Sequence, residues 1–423
     1  MLFSPIATLD NMTDSAATTR LGTVLVLTSS YPKMTGEPSG VFLHHLGKEL
    51  VRLGWRVLVL APNFPGGKPN EEMDGVGITR FNYFIPAAQL LCYRSGMFPN
   101  LRKSPWLWIE VPFFFASLFF HAVKLVRSEP IALIHAHWIF PQGIIARGLQ
   151  KMFKIPVALT VHGSDLFVFS GRIGRGLKRA VLGGIELCTA NSSFTYQSLL
   201  DFGPRLPVCL VPMGVDVDLF HPGRASSTLR QQLQIGGEMI LYVGRLIEQK
   251  GTRDLLQAMP AVLKSFPNAV LVLVGIGHYR SELERLAEEL GILPAVRFEG
   301  HISQLELPGY YATADLFVAP SLEEGLGIVF MEASASQLAM IGTNVGGIPD
   351  ILIDGVTGVR VNPGDPIQLA EAMKTVLENH KLRADIALKA REHVLENFSW
   401  AQVAGKFSNL FQQVIQRKSR LHS

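Results

Sequence analysis

Short, continuous apolar runs alternate with amphipathic stretches along most of this chain. TVLVLTS (23–29), WRVLVLAP (55–62), IALIHAHW (131–138) and the start of PVALTVHGSDLF (156–167) carry almost no polar residue until their ends. Such runs read as strands buried on both faces, as in a parallel sheet covered by helices. Between the first two, residues 41–53 have helical spacing, so the chain opens as a βαβ unit. The rhythm restarts at EMILYVG (238–244), continues in AVLVLVG (269–275) and ADLFVA (314–319), and closes in three helical stretches, 367–378, 384–396 and 400–416. Residues 109–126 are apolar on almost every side, which predicts a buried helix. The alternative is a helix lying in a membrane surface, with Lys124 and Arg127 meeting anionic head groups. Residues 66–105 show no usable pattern, 1–20 read as a loose tail, and the basic end RKSRLHS reads as frayed.

Length turns this rhythm into two domains: 423 residues, 48% of them hydrophobic, are enough for two cores. The net charge of +4 is unevenly spread. Residues 1–215 hold 20 Lys/Arg against 12 Asp/Glu, and the remainder 19 against 23, so the halves carry +8 and −4. That asymmetry points to different partners for the two halves. The basic residues are not interleaved with stacking aromatics, which argues against nucleic acid. Three cysteines without paired spacing fit neither a disulfide framework nor a zinc site, and suit a reducing cytoplasm. The start lacks the basic and apolar regions of a signal peptide, and VPFFFASLFFHAV is too short to span a bilayer.

Candidate chemistry concentrates in PSLEEGLGIVFMEASA (320–335). A strand leads through a turn holding Glu324, Gly325, Leu326 and Gly327 into a helix beginning near Ile328 and Val329. Such a turn aims unpaired backbone N–H groups above the sheet edge, where phosphate binds. Glu324 and Glu332, eight apart, can each accept from a vicinal diol. A nucleoside diphosphate sugar satisfies both features; a solvated Glu332 in an ordinary α/β turn is the plainer reading. Upstream, Gly244-Arg245 ends one strand and Lys250-Gly251 precedes a helix. Arginine can fork two phosphate oxygens and lysine adds a point charge. His135 and His137 share one sheet face, with one expected to line the cleft and the other to be hydrogen-bonded. His162, Gly163, Ser164 and Asp165 stand at a strand's carboxyl end, where open α/β sheets bind ligands. No carboxylate or cysteine completes a metal set with the histidines. Residues 151–179 are rich in Lys and Arg, either a solvated face or a patch toward an anionic membrane or a lipid-pyrophosphate acceptor.

The run E-G-L-G-I-V-F-M-E resembles the E-x7-E signature of retaining family-4 glycosyltransferases, and G-R-x4-K-G at 244–251 resembles a second family motif. The resemblance extends from about residue 24 to 411. It implies an α/β protein of GT-B fold, two Rossmann-like parallel-sheet domains facing across a cleft. The boundaries expected are 1–20 for the tail, 21–212 for an acceptor-binding domain, 213–396 for a nucleotide-sugar domain, and 397–423 for a helix crossing back. Residue by residue, it implies that Arg245, Lys250 and Glu324 act on the donor and that His162 contacts the transferred sugar. His137 and Asp165 fall on the acceptor side. Gly40, Gly275, Ile302 and the pair Gly346-Gly347 fall beside the donor, although Gly40 also fits a plain turn and Ser39 replaces a usual glycine. Met213 replaces a usual asparagine in the hinge, and Asp350 a usual glutamate. The implied reaction moves a sugar from a UDP- or GDP-sugar to a hydroxyl of a glycan or lipid-linked acceptor, with no cofactor or metal expected. HAHW followed by FPQG is similar to enzymes of exopolysaccharide or lipid-linked glycan assembly. A sugar-nucleotide epimerase or a non-catalytic scaffold are the competing readings; the intact E-x7-E, Arg245 and Lys250 argue against both.

Overall fold

The computed structural model describes residues 20–420 apart from 35–36, 38–39, 93–95, 169–170 and 204–207. Ser39 and most of the expected N-terminal tail therefore lie outside the described residues. The first sheet contains β1 (Gly22–Leu27), β2 (Trp55–Pro62), β3 (Asn70–Met73), β4 (Val76–Phe81), β5 (Ile131–His137), β6 (Val157–Val161), β7 (Leu187–Ala190) and β8 (Val208–Leu210). Their order is β3-β4-β2-β1-β5-β6-β7-β8, parallel except for β3. Register places Val24 beside Val57 and Leu133. Val24 and Val26 face one core while Leu25 and Leu27 face the other, the two-residue alternation of a strand covered on both sides.

The second sheet contains β9 (Met239–Val243), β10 (Val270–Val274), β11 (Val296–Gly300), β12 (Leu316–Ala319), β13 (Met340–Thr343) and β14 (Val359–Val361). Its order is β11-β10-β9-β12-β13-β14, with every pair parallel. The direction of winding reverses between β9 and β12, and in the first sheet between β1 and β5. Such switch points open a crevice at the strands' carboxyl ends.

The chain passes between domains along two adjacent segments. Val215 donates its N–H to the carbonyl of Phe398 (2.8 Å), and Gly214 packs so closely on Trp400 that a Cβ there would meet the indole at 2.5 Å. Met213 is buried in this crossing. The Trp400–Arg420 helix then lies on the first domain. Trp55 Nε1 donates to Ser408 Oγ (2.9 Å), Phe407 and Phe411 pack on His135, and Lys418 pairs with Glu186 at 3.0 Å. The expected fraying thus begins no earlier than Arg420, because docking holds the last turns.

Two further expectations change. The patternless stretch contains a hairpin, β3–β4, closed by Asp74-Gly75, and a short helix, Met97–Lys103. The Asp-Gly pair alone, which favours a two-residue hairpin turn, is its signal in the sequence. The Glu110–Ser128 helix is not the buried helix its composition predicts. Glu110, Phe114, Leu118 and Ala122 form a narrow stripe at four-residue spacing that seats it on the domain. Phe113 and Phe120 stand exposed, as do Trp106 and Ile109 just before it. With that preceding turn, Pro105–Ser128 makes 24 continuous helical residues that contain an 18-residue window of mean hydropathy 1.6, and by length and composition alone could cross a membrane.

Candidate active site

The loops after β9 and β12 meet at the second domain's switch point. After β9 comes Gly244-Arg245, then a 3-10 turn, Glu248–Lys250. After β12 comes the segment 320–327, ending at the Ile328–Ala335 helix. Two glycines make the meeting possible. At Gly251 (φ 64°) a Cβ would stand 1.8 Å from the carbonyl oxygen of Pro320. At Gly346 (φ 55°) it would stand 1.6 Å from that of Glu324. Both need the left-handed region and a bare Cα. The result is a direct ion pair: Lys250 Nζ lies 2.5 Å from Glu324 Oε2, both mostly buried. Glu324 Oε1 also accepts from the N–H of Gly325 (3.2 Å). The sequence suggests separate roles, lysine for phosphate and glutamate for hydroxyls; the fold joins them.

A cavity of about 250 Å³ beneath this pair is lined by Tyr242, Gly244, Lys250, Glu324, Leu326, Gly327, Ile328 and Val329. The Ile328–Ala335 helix has no side-chain cap at Gly327, so its first N–H groups turn toward this space. Glu332 lies deeper. Its Oε2 accepts from Tyr311 Oη (2.8 Å) and its Oε1 from Gln304 Nε2 (3.2 Å). Burial raises its pKa to about 7, against those two donors. No local spacing in the sequence ties Tyr311 or Gln304 to Glu332, so neither is legible there as its partner. Gly275, by contrast, packs on the carbonyl of Gly244, and its N–H bonds Gly300 (2.7 Å). Ile302 packs against the second domain's core, and Gly40 caps the Val41–Arg52 helix under Ser30. None of these three lines the two cavities described here.

Across the cleft, β5 and β6 present the histidines. His137 Nδ1 and His162 Nε2 are 3.0 Å apart, and His135 Nε2 meets Thr160 Oγ1 at 2.8 Å. His135 and His137 do share a face, their rings 4.2 Å apart, but both are fully buried. Neither lines the cleft; only His162 reaches it, with His137 behind it. Strand-end position was not enough to separate them, because depth depends on the loop above. Burial lowers His135 and His162 to about 3 and His137 well below its usual value, so all three are neutral near pH 7. Asp165 Oδ2 accepts from the N–H of Ile139 (3.0 Å) and Oδ1 from that of His162 (3.2 Å). It therefore ties the loops after β5 and β6 together. Burial raises it to about 6, and Lys178 pulls the other way. Lys178 was counted in the basic patch; it is fully buried and donates to the carbonyl of Leu166. Among the described residues, no three His, Cys, Asp or Glu side chains gather so as to hold a metal ion.

Both halves meet in one cleft of about 830 Å³, lined by His162, Gly163, Phe194 and Thr195 from the first domain and Arg245, Lys250, Glu324, Gly325 and Gly346 from the second. Asp350 bridges the rim: its Oδ2 accepts from the N–H of Ser193 at 2.7 Å, at the start of the Ser193–Asp201 helix. The sequence profile for Glycosyltransferase Family 4 matches residues 39–219, and that for Glycosyl transferases group 1 matches residues 226–393. Together they span both lips of the cleft. The chain belongs to glycosyltransferase family 4.

This glycosyltransferase is 28% identical over 391 residues to the glycogen synthase of Mycobacterium tuberculosis, covering 90% of this chain and 92% of that one. It is 26% identical over 396 residues to a GDP-mannose-dependent alpha-(1-6)-phosphatidylinositol monomannoside mannosyltransferase of the same species, covering 91% and 97%. Among solved structures, the sucrose-phosphate synthase of Thermosynechococcus elongatus matches with a TM-score of 0.73 at 23% identity, over 94% of this chain and 100% of that one. Anabaena HepE in complex with UDP matches with a TM-score of 0.70 at 19% identity, over 93% and 100%. The fold is GT-B. The enzyme transfers a glycosyl group from a nucleotide sugar.

Proposed function

We propose that the donor is a UDP- or GDP-hexose and that the acceptor is a hydroxyl of a lipid-linked glycan or growing polysaccharide. Transfer proceeds with retention at the inner face of the cytoplasmic membrane. The observation that carries this reading is the shared cleft, which sets Arg245 and Lys250 opposite a neutral His162. Diphosphate enters against the two cations and the start of the Ile328–Ala335 helix. Glu324 exchanges part of its bond to Lys250 for sugar hydroxyls, and Glu332 receives the ribose. As the bond from the anomeric carbon to phosphate oxygen breaks, negative charge grows on that oxygen. Fixed cations and amides favour that state over the ground state. The acceptor oxygen bonds the anomeric carbon on the same face, and its proton passes to the departing phosphate. Arg245 and Lys250 thus carry the positive charge that a metal ion brings elsewhere. His162, neutral and held by His137, hydrogen-bonds the sugar without adding charge. Closure of the cleft keeps water from the activated sugar.

A phosphatidylinositol-mannoside mannosyltransferase among the relatives, a UDP complex among the structural neighbours and the exposed apolar helix support these choices. The test supplies UDP-, GDP- and ADP-sugars with membrane extract and measures nucleotide release. One UDP- or GDP-sugar should be consumed. Lys250→Ala should slow that release by about 10²–10³-fold, the usual cost of removing one such charge-stabilising donor. Unchanged turnover in Lys250→Ala would reject the role given to it.

A further inference from the structure

A second cavity, of about 390 Å³, lies on the first domain away from the donor side. Among the described residues it is lined only by apolar side chains and glycines, including Met97, Leu101, Phe115, Phe140, Ile144 and Leu177. That volume falls in the range of pockets that take small ligands, about 300–1,000 Å³. Apart from Trp108, no hydrogen-bonding side chain among the described residues lines it to orient a polar guest.

Its setting narrows the occupant. The walls come from residues 97–115, 140–144 and 171–177. The wider stretches that carry them, 97–128 and 138–185, hold four and seven Lys/Arg respectively, but only two carboxylates, Glu110 and Asp165. Both carboxylates are fully buried. Arg102, Lys103, Arg172, Arg175 and Arg179 are exposed, so these two stretches present cations and no exposed acid of their own. One wall is joined through the chain to residues behind the catalytic cleft. Phe140 and Pro141 line the pocket, while Ile139 beside them bonds Asp165 and Trp138 packs its ring 4.7 Å from that of His162. A molecule could therefore lie in the pocket at one end and reach His162 at the other across a single loop.

We propose that this pocket binds one hydrocarbon chain of an anionic amphiphilic acceptor, with its phosphate among the arginines and its hydroxyl in the cleft. The inference rests on the acceptor reading above and deepens it. Leu177 and Ile173 are exposed at the mouth, so charged substitutions there do not disturb the fold. The Arg172–Leu182 helix thus acts on both parts of the guest: Ile173 and Leu177 touch the chain, and the flanking arginines meet the phosphate.

The experiment titrates the full chain with hexadecyl phosphate below its aggregation concentration, by calorimetry. Butyl phosphate, and vesicles with and without anionic lipid, are run in parallel, and a UDP or GDP titration is done on every variant. The expected result is saturable one-to-one binding of hexadecyl phosphate, at least tenfold weaker for butyl phosphate. Ile173→Glu combined with Leu177→Glu should weaken it at least tenfold, with nucleotide binding and melting temperature unchanged. Arg172→Gln combined with Arg175→Gln should weaken it less, and in a salt-dependent way. Equal binding of the two phosphates, or no effect of the Ile173/Leu177 pair, would overturn the proposal. So would binding to anionic vesicles without binding to the monomeric probe, which would make the face a membrane contact rather than a chain site. Failure of the parent chain to bind hexadecyl phosphate, with its nucleotide-sugar turnover intact, would sink this inference alone. Absence of nucleotide-sugar turnover would sink the transfer reading, whatever the probe does.

Discussion

Each lip of the cleft places a lysine near a carboxylate, and the two pairs are built differently. Lys250 and Glu324 touch directly, at 2.5 Å, and both line the open cleft. Lys178 and Asp165 are fully buried, and each bonds backbone: Lys178 the carbonyl of Leu166, Asp165 the N–H groups of Ile139 and His162. The first pair borders the open cleft, so an incoming anion and sugar can take over its contact without leaving either charge unpaired. The second acts through charge without a direct contact, and either charge left alone in the interior is heavily penalised. One lip therefore handles charge, and the other uses charge to position neutral groups. The histidines agree with this division. They are held neutral by burial, whereas Arg245 stands exposed at the opposite lip.

Removing one member of the buried pair should have the largest effect on stability. Asp165→Ala is expected to lose about 3–5 kcal/mol in denaturant unfolding, the usual cost of stranding a buried charge. Adding Lys178→Met should recover part of it. If Asp165→Ala melts like the parent, the positioning role assigned to that pair is wrong.

A smaller effect concerns pH, and Glu332 is its source. Its folded pKa of about 7 lies above the ordinary 4.5, so between those values the folded state binds more protons than the unfolded. Its contribution to stability is then full below about pH 4.5 and is lost as pH rises through 7. Glu332→Gln should stabilise the protein at pH 8 by about 1–3 kcal/mol, at about 1.4 kcal/mol per pKa unit, with no gain at pH 4.5. The lowered histidines act in the opposite sense: their stability is present above pH 6.5 and is lost as pH falls. A gain from Glu332→Gln that did not vary with pH would show that its carboxyl is not the titrating group.

The smallest effect is expected at the rim. Asp350→Ala removes the bond to Ser193 between the two domains. It should cost about 1 kcal/mol, and should open the cleft enough to raise the radius of gyration in solution scattering. An unchanged radius with normal turnover would mean that the Trp400–Arg420 helix and the paired crossing segments hold the domains without it.

Much of the second domain was readable before any coordinates. Its strands are unbroken apolar runs, and Gly244-Arg245, Lys250-Gly251 and the Glu324–Glu332 spacing sit at strand ends, where parallel sheets bind ligands. The first domain was harder. Composition assigned the Glu110–Ser128 helix to the interior, but burial follows one stripe of four residues, not the average of nineteen. Lys178 looked like its exposed neighbours Arg175 and Arg179, since one position of a helix turns inward only when something is there to receive it. His137 and His162 could be placed at strand ends but not ranked in depth.

Strands, turns and motif spacing were open to reading because they depend on residues within a few positions of one another, where backbone geometry is nearly the same in any protein. The partnerships that make the site work join positions far apart in the chain: Lys250 and Glu324 across 74 positions, Ser193 and Asp350 across 157, Trp55 and Ser408 across 353. No local rule selects one such partner among the many side chains of suitable chemistry. The packing of two sheets and a returning helix does, because it leaves each buried polar atom few groups within reach.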